Sequence, residues 1–134
     1  MTDHAGFFAR LELDMFEARN AALRALVDAD DAVNEALVAL PDGPVVGAVC
    51  RGLDAWVVAF RVLAGVGASG GVPGEHPATA GLRAAGEAVD AALAEIPDGL
   101  EREALEDALR KWVEAHRVTA GYQHLPPRAW WKDE

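Results

Sequence analysis

The chain repeats itself at a spacing of 56 residues, and this repeat constrains its fold more than any other feature. When residues 32–65 are aligned with residues 88–121, 16 of the 34 positions carry the same amino acid. Chance agreement for a composition this rich in alanine is roughly 3 or 4 positions. Self-similarity at a fixed period marks a repeated structural unit, so the chain is expected to be built from two similar halves.

Each copy has the pattern of a helix, a short turn and a second helix. The first helix carries apolar residues at helical spacing, and these are Leu26, Val33, Leu37 and Leu40 in one copy and Leu82, Val89, Leu93 and Ile96 in the other. Pro-Asp-Gly follows at 41–43 and 97–99, where proline lacks an amide N–H and glycine can adopt a positive φ. The second helices are expected to end at Gly65 and Gly121.

Two hairpins that each carry one apolar stripe bury those stripes best against each other. The sequence therefore predicts an all-α fold, a four-helix bundle with a pseudo-two-fold axis, formed by one domain of 134 residues. Repeat 1 covers about residues 22–65 and repeat 2 about residues 78–121. Residues 66–77 between them are rich in glycine and predict a flexible linker.

Two segments lie outside the repeat. Residues 6–21, here called the N-terminal overhang, extend the first helix by about four turns. The acidic residues at 28–31 leave open whether this helix is broken in two, with an aspartate as N-cap. Residues 122–134 form an aromatic C-terminal tail that contains Trp130 and Trp131.

The charge of the chain limits its partners. Acidic residues outnumber basic ones 22 to 12, which gives a net charge of −10 at pH 7. Because affinity for nucleic acid comes mainly from Lys and Arg that neutralise phosphates, no nucleic-acid partner is expected. The longest apolar stretch, residues 55–66, contains Arg61 and is too short to cross a bilayer, so no membrane partner is expected either.

Cysteine usage and residue bias indicate a compartment and an origin. Cys50 is the only cysteine, which excludes an internal disulfide and suits a reducing compartment. The N-terminus has no basic segment ahead of an apolar run, so no secretory signal is predicted. The strong excess of Arg over Lys and the abundance of Ala are typical of a GC-rich bacterial genome. We therefore expect a cytoplasmic bacterial protein.

The outward face of the second helix differs sharply between the copies. In the fourth helix the outward positions are charged, and they are Glu101, Arg102, Glu106, Arg110, Lys111 and Glu114. The equivalent positions of the second helix hold Val45, Val46, Cys50, Asp54, Ala55 and Val58. A helix that is apolar on nearly every side is covered on more than one side. The cover is the tail, the N-terminal overhang or a second copy of the chain; the candidate interface residues are Val45, Val46, Cys50, Val58, Trp130 and Trp131.

Polar residues enter the core stripe near one end of the fourth helix. His116 and Thr119 stand where the second helix has Phe60 and Leu63. The candidate ligand pocket consists of His116, Thr119, Tyr122 and His124, with Arg117 on the flank of the helix. The alternative is a half-exposed end of the bundle, or a histidine that a neighbour satisfies.

The sequence contains no metal or cofactor signature. Zinc sites need a cluster of ligands, whereas the chain has one cysteine and four scattered histidines, which are His4, His76, His116 and His124. A di-iron bundle needs Glu-x-x-His pairs on facing helices, and Glu114-Ala115-His116 has the wrong spacing. We therefore predict no metal and no cofactor, and we assign no catalytic residue.

Two short resemblances involve His116. The segment from Ala115 to Gly121 resembles the phosphorylated-histidine motif of histidine phosphotransfer bundles, except that Thr119 and Ala120 stand where that family has Lys and Gly. Arg110 and His116, with five residues between them, resemble the Arg–His pattern of HEPN ribonucleases, which are helical and dimeric. Each resemblance covers under a dozen residues, so the chain is assigned to no family.

The function expected from these observations is a non-enzymatic interaction module, homodimeric or bound to another protein. It would act as an adaptor, a regulator or an immunity-type partner. The alternative is a small-molecule-binding protein or enzyme that uses the polar residues around His116. A third hypothesis is nuclease or phosphotransfer chemistry at Arg110 and His116.

Overall fold

The computed structural model describes the backbone of residues 4–123 and the surroundings of side chains 14–121. It contains four helices, which are α1 (His4–Val38), α2 (Pro44–Ala68), α3 (Ala78–Ala94) and α4 (Leu100–Gln123). A 3-10 turn at Pro73–Glu75 precedes α3, and no strand occurs within the described range. The predicted all-α four-helix bundle is confirmed.

The first helix is continuous through its acidic cluster. α1 passes through residues 28–31 without interruption, so the possible break into two helices does not occur. Asp30 is turned toward α4, where its carboxylate accepts a hydrogen bond from the indole N–H of Trp112. An aspartate in a helix interior usually competes for nearby backbone groups. Here its carboxylate has an indole partner on another helix instead.

The Pro-Asp-Gly turns do not use a left-handed glycine. Gly43 has a φ of 170°, which is ordinary extended backbone, and it serves as the N-cap residue of α2. Pro44 follows at the start of the helix, where a missing amide N–H costs nothing because that donor has no partner in any helix. The expectation of a positive φ at Gly43 and Gly99 is wrong, since among the described glycines only Gly70 has one.

Two further glycines expected to end helices lie inside them. α2 continues past Gly65 to Ala68, and α4 continues past Gly121 to Gln123. The cap expected at each glycine is therefore wrong. A glycine in the last turns of a helix is tolerated there at a modest cost in conformational entropy.

The segment between α2 and α3 carries its own hydrogen bonds. Gly70, at a φ of 84°, ends α2 in the left-handed conformation, and the amide of Gly71 donates to the carbonyl of Val66 at 2.9 Å. This is the pattern of a Schellman motif. Before α3, the ring Nδ1 of His76 accepts a hydrogen bond from the amide of Ala78 at 3.0 Å. The linker therefore begins after α2 ends at Ala68 and contains specific turns.

The closest helix pairs are α1 with α4 and α2 with α3. Small buried residues seven positions apart occur on all four helices: Ala22 and Ala29, Gly52 and Ala59, Ala85 and Ala92, and Ala108 and Ala115. A spacing of seven keeps residues on one side of a helix. Because the distance between two helices depends on the side chains at the contact, alanine and glycine allow these pairs to approach closely.

Large apolar side chains fill the space between the two close pairs. Two pairs of positions that the repeat equates lie at the same depth there. Val49 and its equivalent Leu105 are both 0% exposed, and Val33 and Val89 are 5% and 7% exposed. Six of the eight predicted stripe residues are buried, whereas Leu26 and Leu82 are half-buried. Every helix contributes to one core.

The tight α2–α3 contact leads to a prediction about Gly52. A Cβ atom at this position would lie 2.5 Å from the Cγ2 atom of Val89, so a larger side chain must push the two helices apart. We expect Gly52→Val to lower the free energy of unfolding by about 2 kcal/mol or more, in the range of overpacked cores. Urea denaturation measures this change.

A matched control is Gly65→Ala. A Cβ built on Gly65 would meet no side chain and no neighbouring helix within 4 Å. Since alanine favours a helix over glycine by about 0.8 to 1 kcal/mol, this variant is expected to be somewhat more stable than wild type. If Gly52→Val unfolded at the same urea concentration as wild type, α2 and α3 would not approach as closely as described.

Candidate functional site

An aromatic cluster surrounds the one histidine that α4 contributes to the core. The centroid of the His116 ring lies 4.3 Å from that of Trp112, 5.9 Å from Trp56 and 6.2 Å from Phe60, each with an edge-to-face geometry. His116 is 5% exposed. Its Nε2 atom is buried without a hydrogen-bond partner among the described residues. The ring is therefore held by aromatic contacts rather than by polar ones.

The repeat explains how this cluster forms. Trp56 and Phe60 are four residues apart on α2, and Trp112 and His116 are four residues apart on α4. Residues at this spacing are neighbours on one helix face. Trp56 stacks on Phe60 at 4.8 Å and tilts against Trp112 at 5.3 Å. These four residues, here called the aromatic cluster, bring equivalent helices of the two copies together.

The five residues of the predicted ligand pocket have different surroundings. Thr119 is 1% exposed, and its hydroxyl donates to the carbonyl of Ala22 on α1 at 3.3 Å. Arg117 is exposed, whereas His116 is enclosed. The side chains of Tyr122 and His124 lie outside the described residues. The polar pocket at this end therefore stays a prediction, and Arg117 is its one exposed member within the described range.

Burial lowers the pKa of His116 below its usual value of 6.5. The main cause is loss of solvation, because the protonated ring would be charged inside the core. Asp30 on α1 opposes this shift, and Arg61 on α2 adds to it. The ring is therefore kept neutral under conditions where an exposed histidine would begin to take up a proton.

A groove between α3 and α4 lies beside the aromatic cluster. It has a volume of about 770 Å³, and Trp56 and Trp112 form part of its wall together with aliphatic side chains of α3 and α4. Five charged residues also line it. They are Asp90 from α3 and Arg102, Glu106, Arg110 and Arg117 from α4. We call it the α3/α4 groove. The sequence gives no sign of it, because no motif marks the gap between two helices.

The three arginines of the groove are held differently. Arg102 donates to Asp98 at 3.0 Å, to Glu106 at 2.8 Å and to the carbonyl of Ile96 at 3.2 Å, so it ties the turn before α4 to the helix. Arg110 makes one long, exposed contact with Asp107 at 3.4 Å. Exposed pairs of this kind are weak. Arg117 takes part in no ion pair within the described part of the chain.

One difference between the copies keeps the groove open. On α1, Asp30 accepts a hydrogen bond from the indole N–H of Trp112. The equivalent residue on α3 is Gly86, which lines the groove together with Trp56, the counterpart of Trp112. A Cβ built on Gly86 meets nothing within 4 Å. The indole N–H of Trp56 has no hydrogen-bond partner among the described residues.

The predicted interface residues divide into two groups. Val58 is 65% exposed and Cys50 is also exposed. Val45 and Val46 are half-buried and pack against the core, because the first turn of α2 faces partly inward. Trp130 and Trp131 lie outside the described residues. The apolar outward face of α2 is thus centred on Val58.

The two residues named for nuclease or phosphotransfer chemistry, Arg110 and His116, are not brought together. Arg110 lines the α3/α4 groove while His116 is enclosed by aromatic rings, so the two do not share an open surface. Among the described residues, no three potential ligands lie close enough to hold a metal ion. No helix within that range is both long and apolar enough to cross a membrane.

Comparison with protein-family models finds no match for this chain, and comparisons with curated proteins and with solved structures find none either.

The buried histidine predicts a dependence of stability on pH. Because the folded pKa of His116 is below 6.5, the unfolded chain takes up a proton before the folded chain does as the pH falls. The contribution of the neutral ring to the free energy of unfolding is therefore complete above about pH 6.5 and is lost progressively below that pH. Urea unfolding across this pH range measures the loss.

The variant His116→Phe isolates this effect, since phenylalanine occupies the equivalent position of α2. It removes a buried nitrogen that has no partner among the described residues, so we expect it to be more stable than wild type by about 1 to 2 kcal/mol near pH 8. This advantage should grow as the pH is lowered toward about pH 5. A difference that stayed constant over that range would show that His116 does not titrate on unfolding.

Proposed function

We propose that this protein is a non-enzymatic interaction module whose α2 pairs with α2 of a second copy. The observation that carries the proposal is Val58, which is 65% exposed at the centre of the outward face of α2. The equivalent position of α4 is Glu114. Val58 lies next to Ala55 and Val62, which are also exposed. Adjacent exposed apolar residues are typical of a surface that another protein covers.

Charged residues on this face match an antiparallel pair. Asp54 and Arg61 are seven residues apart on one flank of Val58. Both are exposed, and neither takes part in an ion pair within the described part of the chain. In a two-fold dimer centred on Val58, residue and counter-residue exchange places, so Asp54 of each copy faces Arg61 of the other.

The opposite flank of α2 has the same symmetry. Ala55 and Val62 are also seven residues apart, and both are exposed. About the same two-fold axis, Val62 of one copy meets the smaller Ala55 of the other. A small residue thus lies opposite a larger one, which favours interdigitation of the two helices.

α4 does not have this self-complementarity. The positions equivalent to Asp54 and Arg61 are Arg110 and Arg117, which carry the same charge. Two copies of α4 in the same arrangement would place arginines opposite arginines, and like charges in contact oppose association. This contrast favours α2 as the pairing helix. We also propose a cytoplasmic setting, in which the exposed Cys50 stays reduced.

The central prediction concerns Val58→Glu, which introduces the residue that α4 carries at the equivalent position. We expect wild type to sediment as a dimer and the variant as a monomer, because burying an unpaired carboxylate costs more than the apolar contact contributes. Val27→Glu is the control, since Val27 is 58% exposed on α1 and outside the paired face. A wild-type protein that stays monomeric at the highest attainable concentration would contradict the proposal.

A second prediction uses the charges. Asp54→Arg and Arg61→Asp should each weaken the dimer, since each places like charges opposite one another. The double variant restores opposite charges with reversed polarity, so its dissociation constant should return toward that of wild type. Sedimentation equilibrium at low salt gives all four constants. Additive weakening in the double variant would exclude the antiparallel arrangement.

A further inference from the structure

We propose that the α3/α4 groove binds a small molecule with a flat aromatic body and one anionic group. This site does not rest on pairing through α2. The outward residues of α2, centred on Val58, do not line the groove, whereas Trp56 of the same helix does. A ligand and a second copy would therefore contact different side chains.

The wall of the groove suits an aromatic body. Trp56 and Trp112 both line it, and their rings tilt at 50° to each other. Aromatic pairs gain from offset and edge-to-face contacts in addition to the apolar area that they bury. Trp56 is half-buried, so part of its ring is available to a ligand. A flat ring system can contact this side chain without any rearrangement of the core.

The repeat has Asp30 on α1 and Gly86 at the equivalent position of α3. The glycine leaves space beside Trp56 and leaves the indole N–H of Trp56 without a carboxylate partner among the described residues. On the α1 side, the aspartate occupies the space beside Trp112 and accepts a hydrogen bond from its indole N–H. On the α3 side, a Cβ atom at Gly86 would meet no side chain or neighbouring helix within 4 Å. The indole N–H of Trp56 is then a hydrogen-bond donor for a ligand atom. An acceptor oxygen on the ligand would occupy the role that the Asp30 carboxylate has in the other copy.

The rim supplies the anion selectivity. Arg110 and Arg117 are seven residues apart, about 10 Å along α4, and both line the groove. Arg102 and Glu106 are bonded to each other and are not available. Asp90, from α3, is the remaining acid of the rim, so the anionic group of a ligand belongs on the α4 side. Several described arginines have no strong ion pair, and Arg110 and Arg117 are the two of these that line the groove.

The size of the groove favours a small molecule over a peptide helix. Its volume of about 770 Å³ lies within the range of sites for small ligands, about 300 to 1,000 Å³. We therefore commit to a small aromatic anion as the occupant.

The test uses a charged probe and its neutral analogue. 8-Anilinonaphthalene-1-sulfonate carries an aromatic body and one sulfonate, and N-phenyl-1-naphthylamine has the same rings without the charge. Calorimetric titration should show one sulfonate probe per chain, bound about tenfold more tightly than the neutral probe. Arg117→Gln should remove most of that tenfold difference and leave the neutral probe within about twofold. Arg83→Gln, an exposed arginine outside the groove, is the control.

Gly86→Asp locates the site. This variant introduces the residue that α1 carries at the equivalent position and should reduce binding of both probes by about tenfold or more. Circular dichroism and thermal unfolding show whether it is folded. Equal affinities of wild type and a folded Gly86→Asp for the sulfonate probe would overturn the proposal.

A measurement on wild type covers the case in which that variant does not fold. In spectra of protein labelled with 15N, the sulfonate probe should shift the indole signals of Trp56 and Trp112, assigned with Trp→Phe variants. No shift at either indole would overturn the proposal. If the two probes bound equally well, the requirement for an anionic group would be wrong. If neither probe bound, the groove would not be a small-molecule site, and a peptide helix would be its remaining occupant.

Discussion

The close approach of α1 to α4 and of α2 to α3 is the constraint on which the rest of the structure depends. It exists because the contacting faces carry alanine or glycine every seven residues, and at Gly52 the gap to Val89 leaves no room even for a methyl group. Two tight pairs of helices leave a wider layer between them. Large side chains must fill that layer, since an interior packed to normal density has few voids. The aromatic cluster and the fully buried Val49 and Leu105 occupy this layer.

Once the cluster is placed there, small differences between the copies have large effects. Exchange of an aspartate for a glycine at one position of the repeat decides whether a tryptophan N–H is bonded inside the protein, as with Asp30, or lies beside a groove, as with Gly86. Exchange of a phenylalanine for a histidine puts a ring nitrogen into the core at His116, where no described residue bonds to it. A buried polar atom without a partner costs free energy, so the second copy is polar inside at the expense of stability.

The sequence predicted the parts of the fold that depend on periodicity. The repeat and its apolar stripes led to four helices and to the buried set that includes Val33 and Val89, because helical spacing is a local property. The ends of the helices were less predictable. Gly65 resembles a cap, yet the left-handed residue is Gly70, since a helix ends where hydrogen bonding and packing stop supporting it.

A surface feature was predictable from the sequence only where it depends on the residues of a single helix. Exposure of Val58 was predictable from the outward face of α2, whereas the half-burial of Val45 and Val46 depends on their packing against the core formed by all four helices. The α3/α4 groove was not predictable, because it depends on the distance between helices and on Trp56, which is far from both in sequence.

Both proposals depend on the charges at two pairs of equivalent positions, Asp54 with Arg110 and Arg61 with Arg117. Asp54 and Arg61 on α2 carry opposite charges, and that makes the helix complementary to itself in an antiparallel pair. Arg110 and Arg117 on α4 carry the same charge, which opposes self-pairing and attracts an anion instead. The charge difference between residues 54 and 110 is thus one of three exchanges on which the proposals rest, beside Val58 for Glu114 and Asp30 for Gly86. Trp56 and Val58 lie about 160° apart around α2, on opposite sides of the helix. Pairing and ligand binding can for this reason take place on the same helix without competing for a side chain.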